Sequence, residues 1–361
     1  MDAFEPVINA AGKLTALGGS AQSEAVAAAQ ASAARQHVDL ARLREAASQK
    51  IAAYTGAEAA CITSGAAAGI VISVAAVLTG TSIEKVSRLP QVDADNRILL
   101  QAGHAVNFGA TVTQMISMAG GSPGIVGSTN AVSERLLKDT LENGSYAAMV
   151  YVQSHHSVQE NMVPLERCIE LCHDQDVAVI VDAAAEEDLK RYVASGADLV
   201  TYSGGKAFGG PTIGFIAGRV DLIRACEMQF TGIARPMKVG KEAIAGLLCA
   251  LEEYTSADAE SRAAALEAIN DLIVNGISDC RRYQVHLRAD EAGRPFKRVA
   301  IASSGEFGIR DLVDFLAAGS PSIRTRNHHL DQGFVLIDPR ELTEEDAGVI
   351  VERLKAFDSQ Q

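Results

Sequence analysis

The sequence predicts an α/β fold: a mostly parallel, seven-stranded sheet with helices on both faces, followed by a small α+β domain. Three observations predict it. Short apolar runs alternate with helical stretches from Ala57 to about residue 217, the pattern of strands buried on both sides. Beyond Gly240 the order changes to two long helical stretches and a compact tail. The chain has 361 residues, 48% of them apolar, enough for one large core and one smaller one.

The elements follow in order. Residues 1–22 are Gly-rich and irregular and read as an extended N-terminal arm. An Ala-rich helix is predicted from Ser23 to Tyr54, because Ala is the best helix former. Strands are predicted at Ala59–Thr63, Arg97–Gln101, Gly124–Val126, Ala147–Gln153, Val177–Asp182, Leu199–Ser203 and Thr212–Ala217. Helices fall between them at Ala66–Leu78, Val106–Ala119, Ser133–Asn143, Leu165–Gln175 and Glu186–Ser195. Two more, Lys241–Thr255 and Ala257–Ile277, lead into a tail where RVAIAS, SIRTR and GFVLID read as strands. In the same tail IRDLVDFLAAG and TEEDAGVIVERLKAF read as helices, the second with Thr343 as N-cap and Asp346 in an acidic first turn. The expected domains are the arm (1–22), a large domain (23–256) and a small one (257–361).

Composition excludes several classes. No run approaches the roughly 20 apolar residues of a membrane span, and the start MDAFEPVINAAGK has no secretory signal pattern. The cytoplasm is therefore the expected compartment. A net charge of −13 opposes non-specific nucleic-acid binding, which needs cations to neutralise phosphates. Among six scattered cysteines, Cys168, Cys172 and His173 share one predicted helix. They lack further ligands, so buried helix cysteines are expected rather than a metal or a disulfide framework.

Val177–Gly214 is the most informative stretch. One apolar strand ends in Asp182, and the next delivers Lys206 twenty-four positions later. That spacing suits a crossover helix plus a parallel strand, bringing a carboxylate and an amine to one sheet edge. Pyridoxal 5'-phosphate needs both, a lysine for the Schiff base and an acid to keep the pyridine nitrogen protonated. Taken alone, Lys206 reads rather as a solvated loop lysine, since most lysines are exposed. The apolar strand before it, and the cost of an unpaired Asp closing a buried strand, favour the functional reading. The glycines of SGGKAFGG admit a flat ligand.

The phosphate would need its own cradle. In TSGAAAG, Ser64, Gly65 and Ala66 lie between a strand end and a helix start, where backbone N–H groups favour an anion. Ser203 would add a hydroxyl. A plain strand-to-helix turn with a Ser cap is the alternative. QAGHAVNFG offers His104 to stack on the ring, ahead of Phe108; His155 and His156 also follow a strand. Arg324 and Arg326, two apart on a strand and so on one face, and Arg235 are candidates to clamp a substrate carboxylate. The first turn carries no dinucleotide fingerprint, and the chain has no GxxxxGK[ST] phosphate loop.

INAAGKLTALGGS, TSGAAAGI, QAGHAVNFGA, VDAAAE, SGGKAFGGPTIG, RPMKVGKE and PSIRTR with GFVLIDPREL occur in this order. Together they resemble the fold-type I pyridoxal-phosphate enzymes. More narrowly, the chain is similar to the group that contains bacterial selenocysteine synthase and D-glucosaminate-6-phosphate ammonia-lyase. The resemblance implies Lys206 as the Schiff-base lysine, Asp182 as partner of the ring nitrogen, and Ser64, Gly65 and Ser203 as phosphate contacts. It also implies His104 as the stacking residue and Arg326 as the carboxylate clamp. GGPTIG, with Gly210 and Thr212, would reach a neighbouring subunit's cofactor phosphate, implying a homodimer or larger homo-oligomer. The chain starts directly at the arm and is acidic, so neither tRNA nor selenium transfer is expected. The implied activity is a lyase acting on a small amino acid or amino sugar acid, releasing a 2-keto acid and ammonia. Aldolase, racemase, aminotransferase or γ-elimination chemistry would share the first steps. Arg235, Lys238 and Lys241 would serve a substrate phosphate, or are simply helix-start charges.

Overall fold

The structure is a computed structural model that describes residues 5–92, 95–154, 157–290, 294–305 and 307–360. The chain divides into two compact units, one of residues 22–255 and one of the described parts of 1–21 and 256–361. The arm supplies β1 (Val7–Ala10). Next come α1 (Glu24–Ala34) and α2 (Leu40–Thr55), in place of the single helix predicted from Ser23 to Tyr54. Asp39 causes the break: its carboxylate accepts from the N–H groups of Ala41 and Arg42 at 3.0 and 3.2 Å and starts a new helix.

The sheet of the large unit contains β2 (Ala59–Thr63), β3 (Arg97–Gln101), β4 (Ser122–Val126), β5 (Ala148–Val152), β6 (Ala178–Asp182), β7 (Leu199–Ser203) and β8 (Gly214–Gly218). Their spatial order is β2-β8-β7-β6-β5-β3-β4. β8 runs antiparallel to both neighbours, and every other pair is parallel. The helices among them are α3 (Ala66–Thr79), α4 (Ile83–Arg88), α5 (Val112–Met118), α6 (Glu134–Glu142), α7 (Leu165–His173), α8 (Arg191–Ala194), α9 (Val220–Met228) and α10 (Lys241–Ser256). Ile70, Val74, Ile116 and Ile223 from α3, α5 and α9 pack on one face, against Ile98, Val150, Ile180 and Ile216. Ile51, Leu137, Ile169 and Leu247 from α2, α6, α7 and α10 pack on the other, against Leu99, Met149, Val181 and Phe215.

Two predicted helices are shorter than their patterns, for one physical reason. α5 starts at Val112 rather than Val106, because the Thr111 hydroxyl caps the Gln114 N–H at 3.1 Å. Ahead of it, Asn107 Oδ1 accepts from the Gly109 N–H at 2.9 Å and makes a turn. α8 keeps only four residues of the predicted Glu186–Ser195. Asp188 takes the N–H groups of Lys190 and Arg191, and the Tyr202 and Tyr254 hydroxyls donate to the carbonyls of Asp188 and Glu187. Side-chain partners outcompete the helical ladder in both places.

The smaller unit contains α11 (Ala259–Gly276), β9 (Tyr283–Ala289), β10 (Lys297–Ser303), α12 (Ile309–Ala317), β11 (Ser322–Thr325), β12 (Phe334–Ile337) and α13 (Glu344–Asp358). β12-β10-β9 form an antiparallel sheet, and β1 pairs in parallel with β11. Thr343 caps α13 as predicted, in a capping box with Asp346. Arg324 and Arg326 do not share a face. β11 ends at Thr325, where the chain leaves β1 and bridges to β12 through reciprocal backbone bonds between Arg326 and Leu336. The change of partner turns Arg326 inward, to 4% exposure, and leaves Arg324 exposed. Among the described residues, no helix is long and apolar enough to cross a membrane.

Candidate functional site

At one edge of the large sheet, the C-terminal ends of β2, β7 and β6 meet the start of β8. Register places Thr63 and Ser203 opposite Gly214, and Asp182 opposite both Thr201 and Val152. Asp182 is 5% exposed. Among the described residues, both hydrogen bonds to its carboxylate fall on Oδ1, from the Ala184 N–H at 3.1 Å and the Thr201 hydroxyl at 3.5 Å, which leaves Oδ2 as the oxygen to offer a ligand. Burial raises its pKa, and the nearby positive charge of Lys206 pulls it back down.

The turn that carries Lys206 is closed by its own backbone. The Gly204 N–H donates to the Ile213 carbonyl and the Gly210 N–H to the Gly204 carbonyl, both at 2.8 Å. Gly209, at φ +67°, supplies the left-handed step. Phe208 is the anchor: it is buried, with ring centroids of Tyr254, Tyr202 and Phe215 at 5.0, 6.0 and 6.1 Å.

Between β2 and α3 the chain turns at Ser64–Gly65, with the Thr63 hydroxyl donating to the Gly65 carbonyl at 2.9 Å. No side chain caps α3, contrary to the Ser-capped alternative, and the first N–H to bond back is that of Gly69, to Gly65. The N–H groups of Ala66, Ala67 and Ala68 thus have no helical partner. Ser64 and Ser203 are half-buried, and among the described residues their hydroxyls have no hydrogen-bond partner. Gly214 lets this turn lie against β8: a Cβ there would sit 2.7 Å from both the Gly65 carbonyl carbon and the Tyr202 oxygen.

His104 does not present the open ring face expected of a stacking residue. It is fully buried at the end of β3, edge-on to Tyr151 with centroids 4.4 Å apart. Its Nδ1 accepts from the Val152 N–H at 3.3 Å, and its Nε2 has no partner among the described residues. Burial lowers its pKa to about 4, so the ring is neutral. His155 and His156 lie outside the described residues. Gly210 is buried and Thr212 exposed, and Arg235 is exposed on a short turn at Arg235–Met237. Cys168 and Cys172 are buried, with the Cys172 thiol pushed up to about 12. No group of three metal-ligating side chains occurs among the described residues. Sequence reasoning missed Thr201, Phe208 and Gly214, which read as ordinary strand and loop residues.

The L-seryl-tRNA selenium transferase family (SelA) matches this chain over residues 7–289. The chain belongs to that family. Among SelA-like relatives, 5'-C-glycyluridine monooxygenase-decarboxylase from a Streptomyces species is 42% identical over 358 residues, covering 97% of this chain and 89% of that protein. D-glucosaminate-6-phosphate ammonia lyase from Salmonella typhimurium is 40% identical over 356 residues, covering 98% and 95%. A solved structure of D-glucosaminate-6-phosphate ammonia-lyase matches with a TM-score of 0.90 at 39% identity, covering 98% of this chain and 96% of that one. The architecture is that of fold-type I enzymes, and the cofactor is pyridoxal 5'-phosphate. The residues present fit it. A buried carboxylate has an oxygen to offer, a helix start has N–H groups to offer, and a lysine lies near the carboxylate.

Proposed function

We propose that this SelA-family chain is a pyridoxal-phosphate-dependent lyase. It would eliminate a substituent from a small amino acid or amino sugar acid and release a 2-keto acid and ammonia. One observation carries the reading: Asp182 and the open start of α3 share one sheet edge, and Lys206 follows β7 at that edge, in a chain 40% identical to an ammonia lyase. When bound, the cofactor supplies an electron sink that makes a substrate Cα–H acidic. Asp182 Oδ2 would accept from the ring nitrogen, and its charge would favour the protonated ring. The first turn of α3, with Ser64, Gly65, Ala66 and Ser203, would hold the phosphate. Lys206 would supply the amine that holds the cofactor and the base that takes the substrate Cα proton. The resemblance that implies Arg326 for the substrate carboxylate, through the planar fork of a guanidinium, belongs to the same reading. A homo-oligomer in which Gly210–Thr212 serves a neighbouring subunit, and a cytoplasmic location, belong to the same reading.

Borohydride reduction of the cofactor-loaded protein should leave a pyridoxyl label on Lys206 in a peptide map. Lys206→Ala should lower turnover by at least ~1000-fold; undiminished activity in that variant would remove the assignment. The 42% identity to a monooxygenase-decarboxylase supports a second reading. Keto acid and ammonia released from D-, L- or amino sugar acids without oxygen select the lyase, whereas carbon dioxide release coupled to oxygen uptake selects the other.

A further inference from the structure

We propose that Thr201 is a positioning residue for Asp182, its methyl seated against Gly69 of α3 so that its hydroxyl faces the carboxylate. This rests on the reading of Asp182 as the ring anchor. Thr201 is fully buried in β7, on a face whose other buried side chains, Leu199, Ile180 and Ile216, are apolar. A hydroxyl in such a place is costly unless it has a specific partner. Among the described residues its only side-chain hydrogen bond goes to Asp182 Oδ1, at 3.5 Å.

Gly69 supplies the stop. A Cβ at position 69 would lie 3.1 Å from both the Cβ and the Cγ2 of Thr201. The absence of a side chain there lets a β-branched residue, stiff about χ1, press its methyl on the helix and turn its oxygen to Asp182. α3 is also the helix whose first turn holds the phosphate in the proposed function. One contact therefore fixes the phosphate cradle and the ring anchor relative to each other.

The test compares Thr201→Val, Thr201→Ser and Asp182→Asn. Thr201→Val keeps shape and methyl but removes the donor. Apo protein melting temperature, pyridoxal-phosphate affinity by titration and the absorption spectrum of the bound cofactor are measured. Thr201→Val should bind the cofactor about tenfold more weakly, the lower end for a hydrogen bond to a charged group, and shift its absorption band without a lower apo melting temperature. Thr201→Ser keeps the donor but lacks the methyl stop, so its affinity should lie between those of Thr201→Val and the parent. Gly69→Ala gives an independent arm should Thr201→Val fold poorly. Ala favours the helix, so weaker cofactor binding in an undiminished apo fold has no explanation in unfolding. Unchanged binding and spectrum in Thr201→Val and Gly69→Ala, while Asp182→Asn weakens both, would overturn the inference and leave the proposed function standing. No change in Asp182→Asn would overturn both.

Discussion

His104 illustrates how far one atom's surroundings can redirect a side chain. With Nδ1 accepting from the Val152 N–H, the neutral ring carries its proton on Nε2, which has no partner among the described residues. Protonation would place a full charge on a buried ring, a cost that the Val158 backbone only partly offsets, which is why the pKa falls from 6.5 to about 4. The sign of the linkage follows. A base whose folded pKa is depressed contributes stability that is complete above its unfolded pKa of 6.5 and is lost as pH falls through about 4. The full difference corresponds to roughly 3 kcal/mol. His104→Gln keeps an acceptor for Val152 but does not titrate. Urea unfolding of both proteins at several values between pH 7 and pH 4 should show the parent losing stability relative to the variant by about that amount. Parallel pH profiles would refute the account.

At the scale of elements, the close approach at Gly214 decides whether the Ser64–Gly65 turn, the proposed phosphate cradle, can form. A methyl there would meet two backbone atoms at 2.7 Å, from Gly65 and Tyr202, and backbone cannot yield as a flexible side chain does. Gly214→Ala should cost about 1–3 kcal/mol in stability, as overpacking does. It should also weaken pyridoxal-phosphate binding at least tenfold by lifting the Ser64–Gly65 turn off β8; unaltered affinity would sever that link. The close packing at Gly214 was not legible in the sequence, where GGPTIG was read, through the resemblance, as reaching a neighbouring subunit and not the Ser64–Gly65 turn of its own chain. The strands themselves were legible, β2, β3 and β7 to the residue, because a sheet covered on both faces writes itself as short apolar runs. Lys206, Asp182 and TSGAAAG were legible for the same reason: each is a polar residue or small-residue cluster at the end of such a run. Where the pattern misled, at Val106–Thr111 and Glu186–Lys190, helical periodicity was present but Thr111, Asp188 and two tyrosine hydroxyls claimed the backbone. Thr201 stayed invisible because a threonine in a strand is normally explained by β-propensity alone.

For the whole molecule, charge bears on the one partner that the family's description names, a tRNA. Binding such a polyanion draws on Lys and Arg free to displace counterions from phosphates, and this chain carries 32 such residues against 45 acidic ones. Several of its arginines are already committed within their own units. Arg44 pairs with Glu227 and Arg219 with Asp198. Arg294, Arg298 and Arg340 surround the buried Asp290 and Asp338. Recruiting Arg219, Arg294, Arg298 or Arg340 to a phosphate would take a partner from a buried carboxylate, which is costly. The expected outcome is therefore no retention of bulk or seryl-tRNA on a filter at about 50 mM salt, with cofactor-loaded protein in micromolar excess. Retention that fell steeply between about 50 and 200 mM salt would show a cationic face able to outweigh the net charge of −13, and would reopen tRNA as a substrate.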